Sequence, residues 1–296
     1  MSTSFLKMEG AGNDFIVLDD REDSWSRTPP ERWALLCARR LGVGADGVLL
    51  LQTAPESDFG MRYYNADGHE AEMCGNGARC LAWAAAMEFG LGHELDPQTP
   101  LPPGWEMPAG VGRAQVWRLT FSAFDGLHHA VGWGHQVVVS LGDPDGLQPC
   151  TLEPQEQGGR SVEGLKVRFG VPHFVTRVPD PDKVDVARHG PGLRRHPALA
   201  PDGANISWLA SEPDEEGAFR LRTYERGVEA ETLACGTGAA SAALAAAAEG
   251  APSPVSLRTR GGHLLRVWFE TGSSGPADLW LEGPVSVVYR GILAGI

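Results

Sequence analysis

Glu72-Met73-Cys74-Gly75-Asn76-Gly77-Ala78-Arg79 returns in altered form as Glu231-Thr232-Leu233-Ala234-Cys235-Gly236-Thr237-Gly238-Ala239, with the two cysteines 161 positions apart. Each copy places a cysteine ahead of a Gly-x-Gly step that leads into an Ala-rich run. The likeness extends upstream: Phe59, Arg62, Tyr64 and the run Glu70-Ala71-Glu72 precede the first cysteine as Phe219, Arg222, Tyr224 and the run Glu229-Ala230-Glu231 precede the second. A repeat of that length has the size of a domain, not of a solenoid unit. The chain therefore reads as two halves of similar plan, each a mixed α/β domain.

Alternating apolar residues predict strands at Phe15–Leu18, Gly47–Leu51, Met61–Tyr64, Val116–Phe121, Gln136–Leu141, Leu165–Phe169, Leu264–Phe269, Asp278–Leu281 and Val285–Tyr289. Helical spacing over Pro30–Leu41 puts Trp33, Leu36, Cys37 and Leu41 on one side. The Ala-rich runs Ala78–Glu88 and Gly238–Glu249 predict two further helices, ended by Gly90 and by Gly250 with Pro252. Five prolines and three glycines over Asp96–Gly112 predict an exposed loop, and 149–164 reads as a second, polar one. A boundary near 116 follows, giving an N-terminal domain 1–116, completed by a last strand within 284–296, and a C-terminal domain 117–283.

The 296 residues carry a formal net charge of −13, with 38 acidic against 25 basic side chains. That excess disfavours binding to phosphate backbones, which calls for clustered Lys and Arg, so no nucleic-acid partner is expected. Neither a signal-peptide pattern at Met1–Lys7 nor an apolar run of spanning length is present, so no membrane partner and a cytoplasmic location are expected. Five cysteines in a reducing compartment read as thiols and not as a disulfide framework.

A thiol at a helix N-terminus lies in the positive end of the macrodipole, beside backbone N–H groups with no intrahelical partner. Its thiolate is favoured there, which makes it a base near neutral pH. Glycines 75, 77, 236 and 238 let a ligand approach the backbone, and the same N–H groups can hold a carboxylate. If both helices aim at one amino acid, one thiolate removes the Cα proton while the opposing thiol protonates the other face. Cys37, Cys80 and Cys150 have no Gly-rich helix start behind them and read as core or surface residues. Gly42-Val43-Gly44-Ala45-Asp46-Gly47 has dinucleotide-loop spacing but lies between a helical segment and a strand, the reverse of the order such a loop needs. No metal-ligand spacing occurs, and neither a cofactor nor a metal is expected.

These residues resemble the diaminopimelate epimerase family, whose members interconvert LL- and meso-diaminopimelate without pyridoxal phosphate, in lysine and peptidoglycan precursor synthesis. The resemblance rests on Lys7-Met8-Glu9-Gly10-Ala11-Gly12-Asn13-Asp14-Phe15, on Tyr64-Asn65-Ala66-Asp67-Gly68 leading to the first cysteine motif, and on Tyr224-Glu225-Arg226-Gly227 leading to the second. It implies an isomerase of two α/β domains related by pseudo-two-fold symmetry, each a central helix wrapped by a β-sheet, with the active site in the interdomain cleft. Cys74 and Cys235 would be acid and base. Gly75, Asn76, Gly236 and Thr237 would hold the reacting carboxylate, Glu225 and His173 would lie near the reacting amine, and Asn13, Asn65, Asn205 and Arg226 would read the distal amino acid end. A homodimer is compatible with the resemblance, although no interface is legible in the sequence. Val171 departs from the Gly-Asn-Pro-His stretch frequent in such enzymes. The alternatives are a cysteine-dependent proline or hydroxyproline racemase, disfavoured by Asn76 and the Gly10–Phe15 run, and a thiol redox or binding protein.

Overall fold

In the computed structural model, residues 3–154, 160–272 and 275–294 are described. The chain forms two compact units, one built from residues up to Leu141 together with those from Glu282 onward, the other from Gly142–Leu281. The expected boundary near 116 is thus displaced by about one β-meander. The Pro-rich segment 96–112 lacks helix and strand, as expected, but the strands that follow it return to the first unit's sheet, because Phe59 pairs with Phe121. A composition shift marks a loop; pairing beyond it decides which domain owns the chain.

The first unit contains β1 (Thr3–Gly10), β2 (Asn13–Asp19), α1 (Pro30–Cys37), β3 (Gly47–Gln52), β4 (Phe59–Asn65), β5 (Glu70–Ala71), α2 (Gly75–Met87), β6 (His93–Glu94), β7 (Val116–Ala123), β8 (Gly126–Trp133) and β9 (Gln136–Gly142). The second contains β10 (Asp145–Leu152), β11 (Val162–Phe169), β12 (Val171–Val178), α3 (Val186–Arg194), β13 (Asn205–Ala210), β14 (Ala218–Glu225), β15 (Ala230–Thr232), α4 (Gly236–Ala248), β16 (Val255–Arg258), β17 (Leu264–Gly272) and most of β18 (Gly275–Pro284). The chain then re-enters the first unit, where β19 (Ser286–Leu293) pairs antiparallel with β1.

Both units follow one pairing plan. In the first, β1–β2 is antiparallel, β2–β3 parallel across α1, β3–β4 antiparallel, β4–β7 parallel and β7–β8 antiparallel. In the second, β11–β12, β12–β13 across α3, β13–β14, β14–β16 and β16–β17 repeat those senses in the same order. The parallel pair at the centre is buried on both faces, so Phe15–Leu18 and Val48–Leu51 are continuous apolar runs. On one face Ile16, Leu18, Val48 and Leu50 pack with Trp33 and Leu36 of α1; Phe174, Ile206, Trp208 and Tyr224 pack with Val186 of α3 in the second unit. On the other face α2 touches β1, β2, β3, β4, β7 and β8, and α4 touches β11, β12, β13, β14, β16 and β17. A helix enclosed by six strands has no polar side to spare. That explains why α4 is GTGAASAALAAAA, small enough for strands to close around it.

Three further expectations need correction. Helix α1 stops at Cys37, and Leu41 is 82% exposed instead of facing the core, because the chain turns at Ala38 and Gly42. Much of the expected polar loop over 149–164 is strand: Cys150 pairs with Gly164 and Leu152 with Val162, while residues 155–159 lie outside the described residues. That edge strand is largely exposed, so it carries no apolar alternation to betray it. Finally, the repeat aligns differently before the second cysteine. Tyr64 pairs with Glu70 and Tyr224 with Glu231, and the matching ion pairs are Arg62–Glu70 and Arg222–Glu231, at 2.7 and 2.6 Å. Glu70 therefore corresponds to Glu231, and the second half has one extra residue in the turn after Glu225.

The β1–β2 turn fixes the start of α2. Ala11 and Gly12 both have positive φ, 54° and 100°, as a two-residue hairpin of this twist requires. It brings Gly10 so close to α2 that a Cβ there would lie 2.9 Å from the Asn76 carbonyl oxygen and 2.9 Å from Cys80 Sγ. Gly10→Ala is accordingly expected to cost about 1–3 kcal/mol, read as a lowered midpoint in urea unfolding, and to perturb Cys74 alkylation in the folded protein. A parent-like midpoint would show that the hairpin and helix are not in tight contact.

Candidate active site

Cys74 and Cys235 are the N-cap residues of α2 and α4, both in extended backbone conformation. Each helix therefore starts one residue after its cysteine, three residues earlier than the Ala-rich runs alone suggested for α2 and two for α4. Cys235 is buried and accepts a hydrogen bond from the Gly238 N–H at 3.3 Å, with the Thr237 hydroxyl 3.7 Å from the sulfur. A Cβ on Gly238 would come within 3.1 Å of that sulfur, so glycine keeps the N–H open to it. Thr237 is held in turn by Ser241, whose hydroxyl donates to the Thr237 carbonyl oxygen at 2.8 Å. Burial pushes the Cys37 thiol up to about 11 and raises that of Cys80 as well, which leaves both as inert core thiols.

In the first unit a chain of hydrogen bonds ties the start of β2 to the first turn of α2. Asn76 is fully buried and donates through Nδ2 to Asn13 Oδ1 at 2.6 Å; Asn13 Nδ2 donates to Asp46 Oδ2 at 3.1 Å. Asp46 belongs to a charged cluster in which Arg39 bridges it to Asp14 and buried Lys7 reaches Asp14 at 2.7 Å. Burial alone would raise the Asp14 carboxyl, but hydrogen bonds from Arg39 and Lys7 outweigh it and hold it below its usual range. Asn65 is exposed at the end of β4, opposite Gly47, and its side chain makes no hydrogen bond among the described residues.

In the second unit the expected residues converge on one sheet end. His173 lies opposite Asn205 in the parallel β12–β13 pair, and Asn205 Oδ1 accepts from the Arg226 N–H at 2.7 Å. Glu225 ends β14 and accepts a short hydrogen bond from the Thr232 hydroxyl, three residues before Cys235. The Arg226 guanidinium makes no hydrogen bond among the described residues and is available to a carboxylate. His173 is fully buried, and neither ring nitrogen has a hydrogen-bond partner among the described residues. Burial, with the Arg226 charge adding to it, lowers its pKa to about 3. It is a neutral imidazole with a lone pair to offer.

The shared pairing plan shows how the halves diverged. Phe15 pairs with Gly47 as His173 pairs with Asn205, so Phe15 and His173 hold equivalent positions, as do Gly47 and Asn205, Asn65 and Glu225, Asn13 and Val171. The first half has the amides Asn13 and Asn65 where the second has Val171 and Glu225, and it has Phe15 where the second has His173. The sequence alone assigns no role to Arg79, Asp46 or Thr232. The available signal for Arg79 is that it is the single charged residue in the run Ala78–Met87.

The profile of the family described as diaminopimelate epimerase matches residues 5–96 and 166–287. The chain belongs to the diaminopimelate epimerase family. The diaminopimelate epimerase of Aquifex aeolicus is 36% identical over 301 residues, covering 98% of this chain and 97% of that protein; the one from Gemmatimonas aurantiaca is 36% identical, covering 99% and 100%. Among solved structures, a PhzF-family phenazine biosynthesis protein of Bacillus anthracis matches with a TM-score of 0.70 at 14% identity, covering all of both chains. A hydroxyproline epimerase of Agrobacterium vitis with bound trans-4-hydroxy-L-proline matches with a TM-score of 0.68 at 15% identity, covering 99% and 92%. At such identities the likeness establishes the mixed two-domain fold alone.

The histidine supplies a pH prediction. Its folded pKa lies below the unfolded value of about 6.5, so as pH falls the unfolded chain binds the proton first. The stability due to neutral His173 is complete above about pH 6.5 and is lost on the way down to about 3. Replacing it with the residue at the equivalent position, His173→Phe, should remove about 2 kcal/mol of the stability lost between pH 7 and pH 5, measured by urea unfolding at both values. Equal losses in parent and variant would mean that His173 reaches solvent.

Proposed function

We propose that the protein interconverts LL- and meso-diaminopimelate by proton transfer at Cα between two thiols, Cys74 and Cys235, one supplied by each unit. The observation that carries this reading is the duplicated site: in a member of this family, two cysteines cap two buried Ala-rich helices within the same pairing plan. One sulfur, as thiolate, takes the Cα proton; the other, as thiol, gives a proton to the opposite face, and the next turnover runs from the exchanged state. Their ionisations belong to the pair, which carries one negative charge.

The backbone N–H groups at Gly75-Asn76 and Gly236-Thr237 receive the substrate carboxylate, where charge grows as the Cα proton leaves. Glu225 faces the substrate ammonium as a counter-charge, and neutral His173 accepts a hydrogen bond from it. Arg226, Asn205, Asn13 and Asn65 read the distal end, Arg226 as the carboxylate fork and the amides as mixed donors and acceptors. Asn13 keeps one amide hydrogen and one lone pair for that task beyond its bonds to Asn76 and Asp46. The same reading carries a cytoplasmic location and a homodimer, the latter checked by light scattering.

The test is conversion of LL-diaminopimelate by reduced protein, with proline and trans-4-hydroxyproline offered in parallel. An LL and meso mixture from the first substrate alone is expected. Cys74→Ser and Cys235→Ser should each lower turnover about 10²–10⁴-fold, since an alcohol is a far weaker acid than a thiol. Turnover of hydroxyproline instead, or a serine variant of parent-like activity, would overturn the assignment.

A further inference from the structure

Arg79 lies in the first turns of α2, five residues after Cys74, and is fully buried. Its Nη2 donates to Asn76 Oδ1 at 2.9 Å, whereas Nε and Nη1 have no hydrogen-bond partner among the described residues. A buried guanidinium with two unmatched donors is costly and persists where a negative charge offsets it. Burial lowers its pKa to about 10, which still leaves it charged at any pH at which the protein works.

Four groups bear on that charge: Glu9 of β1, Glu282 of β18, and the sulfurs of Cys80 and Cys74 on its own helix. The Glu9 carboxylate is engaged by the Gly12 N–H and the Ser286 hydroxyl, at 3.0 and 2.9 Å. Burial keeps Cys80 in its neutral thiol form. Glu9 and the buried Glu282 are carboxylates that offset the cation; of the two sulfurs, Cys74 is the one at the helix start whose negative charge the guanidinium favours. The corresponding position five residues after Cys235 is Ala240, so the device exists in one half only.

The hydrogen bond adds a second role. A guanidinium only donates, so it forces the Asn76 oxygen toward itself and the Asn76 amide nitrogen toward Asn13. That in turn turns the Asn13 amide nitrogen toward Asp46. One buried cation therefore sets the orientation of two carboxamides.

We propose that Arg79 is a positioning residue of the Cys74 half-site: as a permanent buried charge it stabilises the Cys74 thiolate, and through its bond to Asn76 it fixes the amides beside it. This rests on the reading that Cys74 transfers a proton. The two thiols are consequently unequal, with Cys74 the one helped by a fixed cation.

The experiment reads the sulfur directly, without substrate. In a Cys235→Ser background, the rate of Cys74 alkylation by iodoacetamide is followed against pH by mass mapping. Arg79→Met should raise the midpoint by about one unit or more, and Arg79→Lys should return it most of the way. Arg79→Gln keeps a donor for Asn76 but no charge, serves if the methionine variant does not fold, and should also raise the midpoint. An unchanged midpoint in a folded Arg79→Met or Arg79→Gln protein would overturn the proposal. Because no turnover is measured, the result is independent of whether diaminopimelate is the substrate. In the Cys235-containing parent, Arg79→Met should also displace the acidic limb of kcat/KM upward, which loss of packing alone would not do.

Discussion

Each unit depends on burying a helix start. A helix enclosed by strands on all sides must bury its first turn, yet that turn carries N–H groups with no intrahelical partner. In α4 the sulfur of Cys235 takes one of them, the Gly238 N–H. N–H groups with no intrahelical partner at such a helix start favour an anion. The same constraint explains the small residues. Glycine at 238 leaves room at the cysteine, glycine at 77 leaves room for Leu49 of β3, and alanine along α4 lets six strands close in. One packing motif is thus used twice.

Duplication supplies two such helix starts, and the two halves diverge at equivalent positions. Where the first half has Phe15, stacked edge-on against Tyr63, the second has His173 with both ring nitrogens lacking partners among the described residues. Where the first has Gly47 and Asn65, the second has Asn205 and Glu225. Conversely, the first half holds the buried Arg79 against Ala240, and Asn13 against Val171. The second half thus carries the buried imidazole of His173 and the carboxylate of Glu225, while the first carries Asn13, Asn65 and the buried cation Arg79.

Much of this was legible in the sequence because helices and strands buried on one or both faces leave periodic traces. The cysteine motifs, both Ala-rich helices and the parallel core strands of the first unit, β2 and β3, followed from local pattern, whereas their counterparts β12 and β13 were not read from it. What local pattern could not supply was pairing. The strands at 116–142 follow a Pro-rich loop and look like the start of a new domain, but Phe121 belongs beside Phe59. The polar edge strand ending at Leu152 has no buried face to impose alternation. In the repeat, Glu229-Ala230-Glu231 resembles Glu70-Ala71-Glu72 letter for letter, yet the ion pair to Arg222 selects Glu231 as the partner of the earlier Glu70. The partnerless imidazole of His173 and the guanidinium of Arg79 likewise emerged only with burial, since a residue type does not reveal what surrounds it.

The most direct test of a two-thiol site is the fate of one proton. Reduced protein is given LL-diaminopimelate in deuterated water, and both isomers are analysed while only a small fraction has converted. Two bases on opposite faces predict deuterium at the inverted Cα of the meso product while the residual LL substrate keeps its protium. Meso product that retains protium, or LL substrate that exchanges as fast as product forms, would mean that a single base serves both faces and would contradict the pairing of Cys74 with Cys235.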